Sequence, residues 1–263
     1  MTALTDQTYF IGQGNVRWAP RITAGALNGG FLPFGDVQMF AIDNSKQKIV
    51  EVEENLTGFG GTALYASVAI PIAIKLQLTQ WEMANLALAT YGQNSGVGAG
   101  GTVTAEATTA YNGQTTYLQN IGISSLVLKT TAATPVTLVE GTDYTFNAQF
   151  GSYTILAGST VVPTGPGVSL SAAYTWAANN GSVSALLTQP PEIAIAYEGL
   201  NVANPAGQTF GAVKVFVNRV RLNLSKTLDM LSKKEGILEL DGAILYDATA
   251  PAGTSNYYTI TKA

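Results

Sequence analysis

A strict alternation of side chains between residues 68 and 79 constrains the fold of this chain more than any other feature. Six apolar residues occupy every second position there: Val68, Ile70, Ile72, Ile74, Leu76 and Leu78. A period of two residues is the pattern of a β-strand with one apolar face. The other face suits contact with water or another subunit, and its candidate interface residues are Ala69, Ala73, Lys75 and Gln77. Pro71 lacks a backbone donor, so we expect it at a sheet edge or a bulge.

The pattern changes to that of a helix at Thr79. Apolar residues then recur at helical spacing: Trp81, Ala84, Leu88 and Tyr91. Thr79 and Glu82 have the spacing of a capping box, and Gly92 stands where a left-handed residue would end the helix. The segment therefore predicts one long strand followed by one helix. A plain sheet covered by a helix would give the same pattern.

The chain carries few charges for its length. Asp, Glu, Lys and Arg make up 11% of the 263 residues, against about 25% in an ordinary soluble domain. A weakly charged surface is what a subunit of a large assembly can tolerate, because much of it faces other copies. A β protein of ordinary stability with few charges is the alternative.

Several chemistries are excluded because the chain has neither cysteine nor histidine. It can form no disulfide, no thiolate nucleophile, no Ser-His-Asp triad and no metal site built from Cys or His. Enzymes that use only carboxylates, Tyr and Lys remain open. The net charge of −4 provides no basic surface for binding nucleic acid. We expect no cofactor and no metal.

The N-terminal segment and the apolar runs of the sequence indicate in which cellular compartment the chain is made and folds. Residues 1–14 have no positively charged start and no apolar core, so they do not form a secretory signal. They contain an apolar patch, Tyr9, Phe10 and Ile11, which is typical of an arm that docks on a neighbour or of a frayed end. No apolar run approaches the ~20 residues that a membrane span needs. We expect synthesis and folding in a cytoplasm.

A block of about one hundred residues differs in composition from the rest. Between Tyr91 and Pro191 the charged residues are Glu106, Lys129, Glu140 and Asp143. We therefore predict a discontinuous domain of residues 1–92 and 191–263, interrupted by a linker and an inserted domain at residues 93–190. The insertion has the regular short strands of a small β-sandwich, at residues 102–108, 115–119, 125–129, 136–139, 144–147, 152–156 and 168–177.

The remaining strands are predicted at residues 15–22, 35–42, 47–55, 192–200, 212–225, 236–247 and 257–261. On strand 212–225, one apolar face is expected to hold Phe216, Val220, Leu222 and Leu224. If that strand pairs with strand 236–247 in antiparallel register, Arg221 lies opposite Glu239 and Arg219 near Asp241, as cross-strand charge pairs. Asp247 is expected on the same polar face as Glu239 and Asp241.

The densest acidic cluster is Glu51, Glu53 and Glu54, and the first two share a predicted strand face. A catalytic carboxylate pair would require a cleft and one raised pKa. A solvated acidic face explains the same residues with fewer conditions. A third interpretation is a face turned towards a channel, where it would repel a nucleic-acid backbone.

Short stretches throughout the chain resemble one known family. In the flanking regions they are Gly12, Gly14, Asn15 and Val16, then Gly35, Asp36 and Val37, then residues 51–58, 78–92, 213–224 and 235–245. In order, they resemble the major tail tube proteins of long-tailed bacteriophages. Residues 103–107, 140–144 and 169–176 resemble the immunoglobulin-like insertion that some of these proteins carry.

The resemblance implies a mainly β fold with one helix (α+β), in which a tail-tube β-barrel or sandwich domain carries an inserted Ig-like β-sandwich. It implies a structural virion protein, not an enzyme, that self-assembles into hexameric rings. The rings stack into a hollow tail tube through which DNA passes, and strands of six subunits close one continuous barrel. In such proteins a long hairpin reaches towards the next ring.

The resemblance also implies partners and candidate surfaces. The partners would be tape measure, tail terminator and baseplate or tail-tip proteins, with DNA only in transit. The candidate lumen or interface residues are Glu51, Glu53, Ala69, Ala73, Lys75 and Gln77. The main alternative function is a carbohydrate-binding β module on a virion or cell surface, in which the insertion carries the site. A glycosidase built from carboxylates alone is a third hypothesis.

Overall fold

The computed structural model describes residues 12–22, 27–45, 48–53, 62–201, 211–231 and 235–262. Antiparallel strands dominate these residues, and they include one helix, which confirms the predicted mainly β class. None of the sheets that the described residues form closes into a barrel within one chain. Most of the predicted N-terminal arm, and Glu54 of the acidic cluster, lie outside the described residues.

The first strands in chain order are β1 Gly12–Pro20, β2 Leu32–Pro33, β3 Val37–Asp43, β4 Lys48–Glu53, β5 Thr62–Ala69 and β6 Ile72–Leu78. The helix follows as α1 Met83–Thr90. Next come β7 Gln93–Asn94, β8 Gly101–Ala110, β9 Thr115–Tyr117, β10 Ile123–Thr130, β11 Tyr144–Asn147, β12 Ser152–Ile155 and β13 Val168–Trp176. The last strands are β14 Val183–Ser184, β15 Glu192–Asn201, β16 Gly211–Leu222, β17 Leu238–Ile244 and β18 Tyr258–Lys262.

The described residues fall into two compact units. One takes its residues from Met1–Asn94 and Val183–Ala263, and the other is Ser95–Ser182. The sequence places the corresponding boundaries at residues 92 and 191. The second boundary is earlier in the structure because β14 returns before Pro190 and pairs with β7.

The discontinuous unit is built on one eight-stranded sheet. Its strand order is β2-β1-β15-β16-β17-β6-β3, and β18 lies beside β16. Apolar side chains from most of these strands form a single core, including Ile74, Leu76, Leu78, Ile195, Val217 and Leu240. The alternation predicted from residue 72 onwards is confirmed, because Ile74, Leu76 and Leu78 are buried.

The predicted single strand across residues 68–79 is wrong in its length. The chain forms β5 and β6 instead, and the two strands belong to different sheets, because β5 pairs with β4 while β6 lies between β17 and β3. Pro71 lies between the end of β5 and the start of β6. The expectation that it occupies a sheet edge or a bulge is therefore wrong. Its missing N–H and fixed φ prevent the ladder from continuing, and Ile70 beside it is 56% exposed.

Both predicted caps of α1 are wrong. The helix begins after Glu82, whose side chain makes no capping bond. The Thr79 hydroxyl donates instead to a carboxylate oxygen of Asp36 at 2.7 Å, a charge-assisted bond that competes well with a neutral cap. At the other end Tyr91 takes the left-handed conformation with φ 50°, and the Gly92 N–H closes the helix on the Ala87 carbonyl.

A bulge in β16 changes which of its residues share a face. The pairing with β15 shifts register between Ile195 opposite Val217 and Ile193 opposite Val220. Val217 and Val220 are therefore both buried, although they are three residues apart. The prediction that Phe216 shares the face of Val220 is wrong, and its ring contacts Phe31 edge-on at a centroid distance of 5.9 Å.

The glycine at the β16–β17 contact provides a test of this packing. A Cβ added at Gly242 would lie 2.5 Å from the carbonyl oxygen of Arg221 and 3.1 Å from the Leu222 Cα. We expect Gly242→Ala to lower the free energy of unfolding by about 1–3 kcal/mol, the usual effect of overpacking. Denaturant titration measures this. Gly30→Ala is the control, because no atom lies within 4 Å of that position, and an equal loss in both variants would contradict the expectation.

The inserted unit contains two three-stranded sheets, in the orders β10-β13-β8 and β11-β12-β9. Both contribute to one core, which contains Leu128, Leu170, Tyr174, Tyr153 and Ile155. The predicted strand at residues 136–139 is wrong, since the structure has only an isolated bridge between Thr137 and Lys129 there. The other predicted strands of the insertion correspond to β8 to β13.

Candidate assembly surfaces

The outer side of β17, β6 and β3 forms a polar face, defined by Ala73, Lys75, Gln77, Glu239 and Asp241. On β6 the first three alternate with the buried Ile74 and Leu76. In the register of the sheet, Lys75 lies opposite Asp241 and Gln77 opposite Glu239. The structure therefore places on one surface two sets of residues that the sequence analysis treated separately: the candidate interface residues of β6 and the acidic residues of β17. Ala69 ends β5, in another sheet, and its side chain is outside the described residues.

Two polar contacts tie the strands of this face together. The Lys75 ammonium lies 3.1 Å from a carboxylate oxygen of Asp43 on β3. The Gln77 amide donates to Glu239 on β17 at 3.1 Å. The polar face is therefore a cross-strand network with its cation already paired.

The predicted cross-strand charge pairs are wrong. Arg221 lies opposite Ala243, not Glu239. Arg219 forms a bidentate ion pair with Glu192 on β15, in which its Nε and Nη2 donate to the two carboxylate oxygens at 2.8 and 3.0 Å. Asp241 accepts instead from the Asn223 amide at 3.3 Å. The predicted and observed registers differ by an even number of residues, which keeps every side chain on its face, so alternation alone does not separate them.

Strands β4 and β5 form a two-stranded ribbon, called here the β4–β5 ribbon. Among the described residues, these two strands pair only with each other. Val52 lies opposite Leu64 in the register, and Val50 is two residues from Val52 on the same face. All three are exposed, at 46%, 55% and 46% for Val52, Leu64 and Val50. The ribbon therefore presents an apolar face to its surroundings.

The acidic residues of β4 lie on this ribbon and away from the polar face. Glu51 and Glu53 are both exposed, and they stay two residues apart on β4, because the register shift between Val52 and Glu53 adds its extra residue on β5. An exposed ribbon lacks the desolvated cleft that a catalytic carboxylate pair requires. In this setting the two carboxylates act as solvated charges beside an apolar face.

A buried ion pair connects the end of β1 with the segment after β17. Arg21 and Asp247 approach to 2.8 Å, and their side chains are only 5% and 6% exposed. Arg21 also donates to the carbonyl of Asn218, and Asp247 accepts from the Thr249 hydroxyl at 2.7 Å. The expectation that Asp247 shares the outward face of Glu239 is wrong. No local pattern predicts this pair, because 226 positions of sequence separate its members.

Three carboxylates of the discontinuous unit have lowered pKa values. Hydrogen bonds from Ser45 and then from Lys75 hold the pKa of Asp43 far below its usual range. The hydrogen bonds from Arg219 lower the pKa of Glu192. Burial opposes ionisation of Asp247, but bonds from Thr249 and Arg21 outweigh it and lower its pKa.

These shifts predict that acid destabilises the folded chain. A carboxyl whose folded pKa is lowered contributes stability above its unfolded pKa and loses it as the pH falls towards the folded value. The unfolded values are about 4, so we expect Tm to fall progressively below about pH 4. In Glu192→Gln the fall should be shallower than in the unchanged chain. Calorimetry at stepped pH measures this, and identical slopes would contradict the assignment of Glu192.

The described residues contain no group of three or more Asp or Glu side chains arranged to hold a metal ion. No helix among them is long and apolar enough to cross a membrane.

The fold and these surfaces define a mainly β protein with a discontinuous sheet unit and an inserted unit. A family model described as "Protein of unknown function UCP028589" matches residues 9–261. The chain belongs to that family, since the match spans both units and nearly every residue. No curated protein matches the chain.

Proposed function

We propose that this chain is a structural virion protein, the subunit of a bacteriophage tail tube, in which hexameric rings stack around a channel for DNA. The observation that carries the proposal is the β4–β5 ribbon. An isolated two-stranded ribbon is at best marginally stable in water and needs an apolar surface to pack against. Val50, Val52 and Leu64 are exposed in the single chain, so a neighbouring subunit is the natural source of that surface.

The ends of the main sheet support the same proposal. β3 is the strand at one end of the sheet, and its outer edge has no strand partner among the described residues. An open edge invites pairing with another chain. A ring of subunits that pair edge to edge converts open sheets into one closed barrel and removes every such edge.

The polar face suits the wall of the channel. Its one cation, Lys75, is paired with Asp43 at 3.1 Å. Two cations beside the face also have carboxylate partners, Lys226 with Asp241 at 3.8 Å and Arg219 with Glu192 at 2.8 Å. Paired cations release few counterions when a phosphate backbone approaches, so they bind it weakly. A surface of this kind lets DNA pass without holding it.

The oligomeric mass of the purified chain tests this proposal. We expect light scattering after size-exclusion chromatography to give six chains per particle, or multiples of six, at concentrations where rings form. Dilution should return monomers through a cooperative transition. A monomer at every concentration, or a particle with another number of chains, would overturn the hexameric ring.

A further inference from the structure

We propose that Asn28 is a site of spontaneous covalent modification, at which the folded chain converts asparagine to aspartate and isoaspartate. The chain contains three Asn-Gly pairs, which begin at Asn28, Asn112 and Asn180. The pair is the same in each case, so the different surroundings of the three asparagines in the fold decide which of them reacts. The proposed function plays no part in this, since the reaction takes place within one chain.

The reaction is an attack of a backbone nitrogen on the side chain that precedes it. The glycine nitrogen forms a bond to the asparagine Cγ, the Cγ–Nδ2 bond breaks, and Nδ2 leaves as ammonia with the proton of the glycine N–H. Water then opens the five-membered succinimide at either carbonyl, which gives aspartate or isoaspartate. Glycine favours ring closure because it has no Cβ to crowd the nitrogen. The carboxamide must be able to turn towards that nitrogen, and the backbone must be able to follow.

Asn28 meets both conditions. It is exposed, in the connection between β1 and β2, and neither its carboxamide nor the Gly29 N–H has a hydrogen-bond partner among the described residues. A Cβ placed at Gly29 would have the Pro20 Cγ, 4.0 Å away, as its nearest described neighbour. The Asn28 N–H donates to the Pro20 carbonyl at 2.8 Å. The residue is therefore anchored on its N-terminal side, while the Asn28–Gly29 peptide is neither bonded nor crowded.

Asn112 is restrained through its side chain. It lies half-buried in the turn between β8 and β9, and its Nδ2 donates to the Val162 carbonyl at 2.6 Å. Gly113 itself is open, with no described atom within 4 Å of a Cβ placed there. Turning the carboxamide towards the Gly113 nitrogen breaks the bond to Val162. A hydrogen bond of ordinary net strength slows such a step by about 2- to 12-fold.

Asn180 is restrained through its backbone. The attacking group, the Gly181 N–H, donates to the Oδ1 of Asn179 at 2.8 Å. Asn179 is itself held by two backbone hydrogen bonds with Gly98, both of 3.0 Å. A Cβ placed at Gly181 would lie 1.8 Å from the Gly96 carbonyl oxygen, so this peptide has little room to move. Ring closure at Asn180 therefore requires both a broken bond and a backbone shift.

Peptide mapping by mass spectrometry tests this ranking in the unchanged chain. The purified protein is incubated at mildly alkaline pH, which favours attack by the backbone nitrogen, and each Asn-Gly peptide is scored for conversion to aspartate or isoaspartate. We expect Asn28 to convert first, about 2- to 12-fold or more ahead of Asn112 and Asn180. In guanidinium chloride, where the fold is lost, the three rates should converge.

Three results would overturn the proposal. The first is equal conversion of the three asparagines in the folded chain. The second is faster conversion of Asn112 or Asn180 than of Asn28. The third is a lead for Asn28 that persists unchanged in guanidinium chloride, because the lead would then come from the local sequence and not from the fold.

Asn28→Gln is the matched control variant. Glutamine keeps the carboxamide, but its longer side chain would have to close a six-membered ring, which forms far more slowly. The unchanged chain should accumulate an acidic species on anion-exchange chromatography, since each conversion adds one negative charge. That species should be nearly absent in Asn28→Gln, and an equal amount in both proteins would contradict the assignment to Asn28.

Discussion

Replacing Asp247 by alanine is expected to lower the free energy of unfolding by about 3–5 kcal/mol, the loss typical of breaking a buried ion pair from one side. The variant leaves the Arg21 guanidinium in a site where its side chain is 5% exposed. The Asn218 carbonyl still accepts from Arg21, but no carboxylate then offsets the desolvation of that charge, which costs more than the pair itself contributes. The pair also joins the first strand of the sheet to the segment that follows β17, so its loss loosens two distant parts of the chain.

Lys226→Ala is the matched control for this prediction. It removes an ion pair with Asp241 whose side chains are 82% and 37% exposed, at a longer distance of 3.8 Å. Exposed pairs contribute about 0–1 kcal/mol, so this variant should unfold at nearly the same denaturant concentration as the unchanged chain. Equal stability of Asp247→Ala and Lys226→Ala in urea titrations would contradict the buried network.

The second large effect is expected on assembly. The double variant Val52→Asp with Leu64→Asp places two carboxylates on the apolar face of the β4–β5 ribbon. If that face packs against a neighbouring subunit, each change removes about 1.5–3 kcal/mol of apolar burial and adds the desolvation of a charge. We expect assembly to be lost across the accessible concentration range, as measured by sedimentation velocity.

The folded monomer should be spared by these two changes, because both side chains already face solvent within one chain. Its free energy of unfolding is therefore expected to change by no more than about 0.5 kcal/mol, the range of ordinary surface substitutions, and its Tm should stay nearly the same. The control is Val139→Asp, which alters another valine that is 57% exposed, in the inserted unit. Assembly that survives in the ribbon variant would contradict a contact through this face.

Local pattern predicted the parts of the fold that depend on neighbouring residues. The alternation on β6 identified Ile74, Leu76 and Leu78 as core. Six of the seven short strands predicted in the insertion were placed with small errors at their ends, and the strand predicted at residues 136–139 was wrong. These features are predictable because successive side chains of a strand point to opposite faces of the sheet, so the sequence alone shows which residues share a face. The same rule predicted that Lys75 and Gln77 lie on an outward face.

Long-range choices were not predictable from pattern. The pairing of Arg221 with Ala243 differs from the predicted one by an even shift, which periodicity cannot detect. The Arg21–Asp247 pair depends on how the end of β1 meets a segment far along the chain. The division at Pro71 shows a third limit of pattern, because the alternation continues across a residue at which the chain changes sheets.

Electron microscopy of the purified, unmodified chain in negative stain tests the central proposal most directly. The proposed function predicts rings with sixfold symmetry, or hollow tubes made of such rings, each with an open central channel. The Val52→Asp with Leu64→Asp variant, imaged in parallel, should show neither. Dispersed single particles at all concentrations, especially ones that bind glycans, would contradict the tail tube assignment.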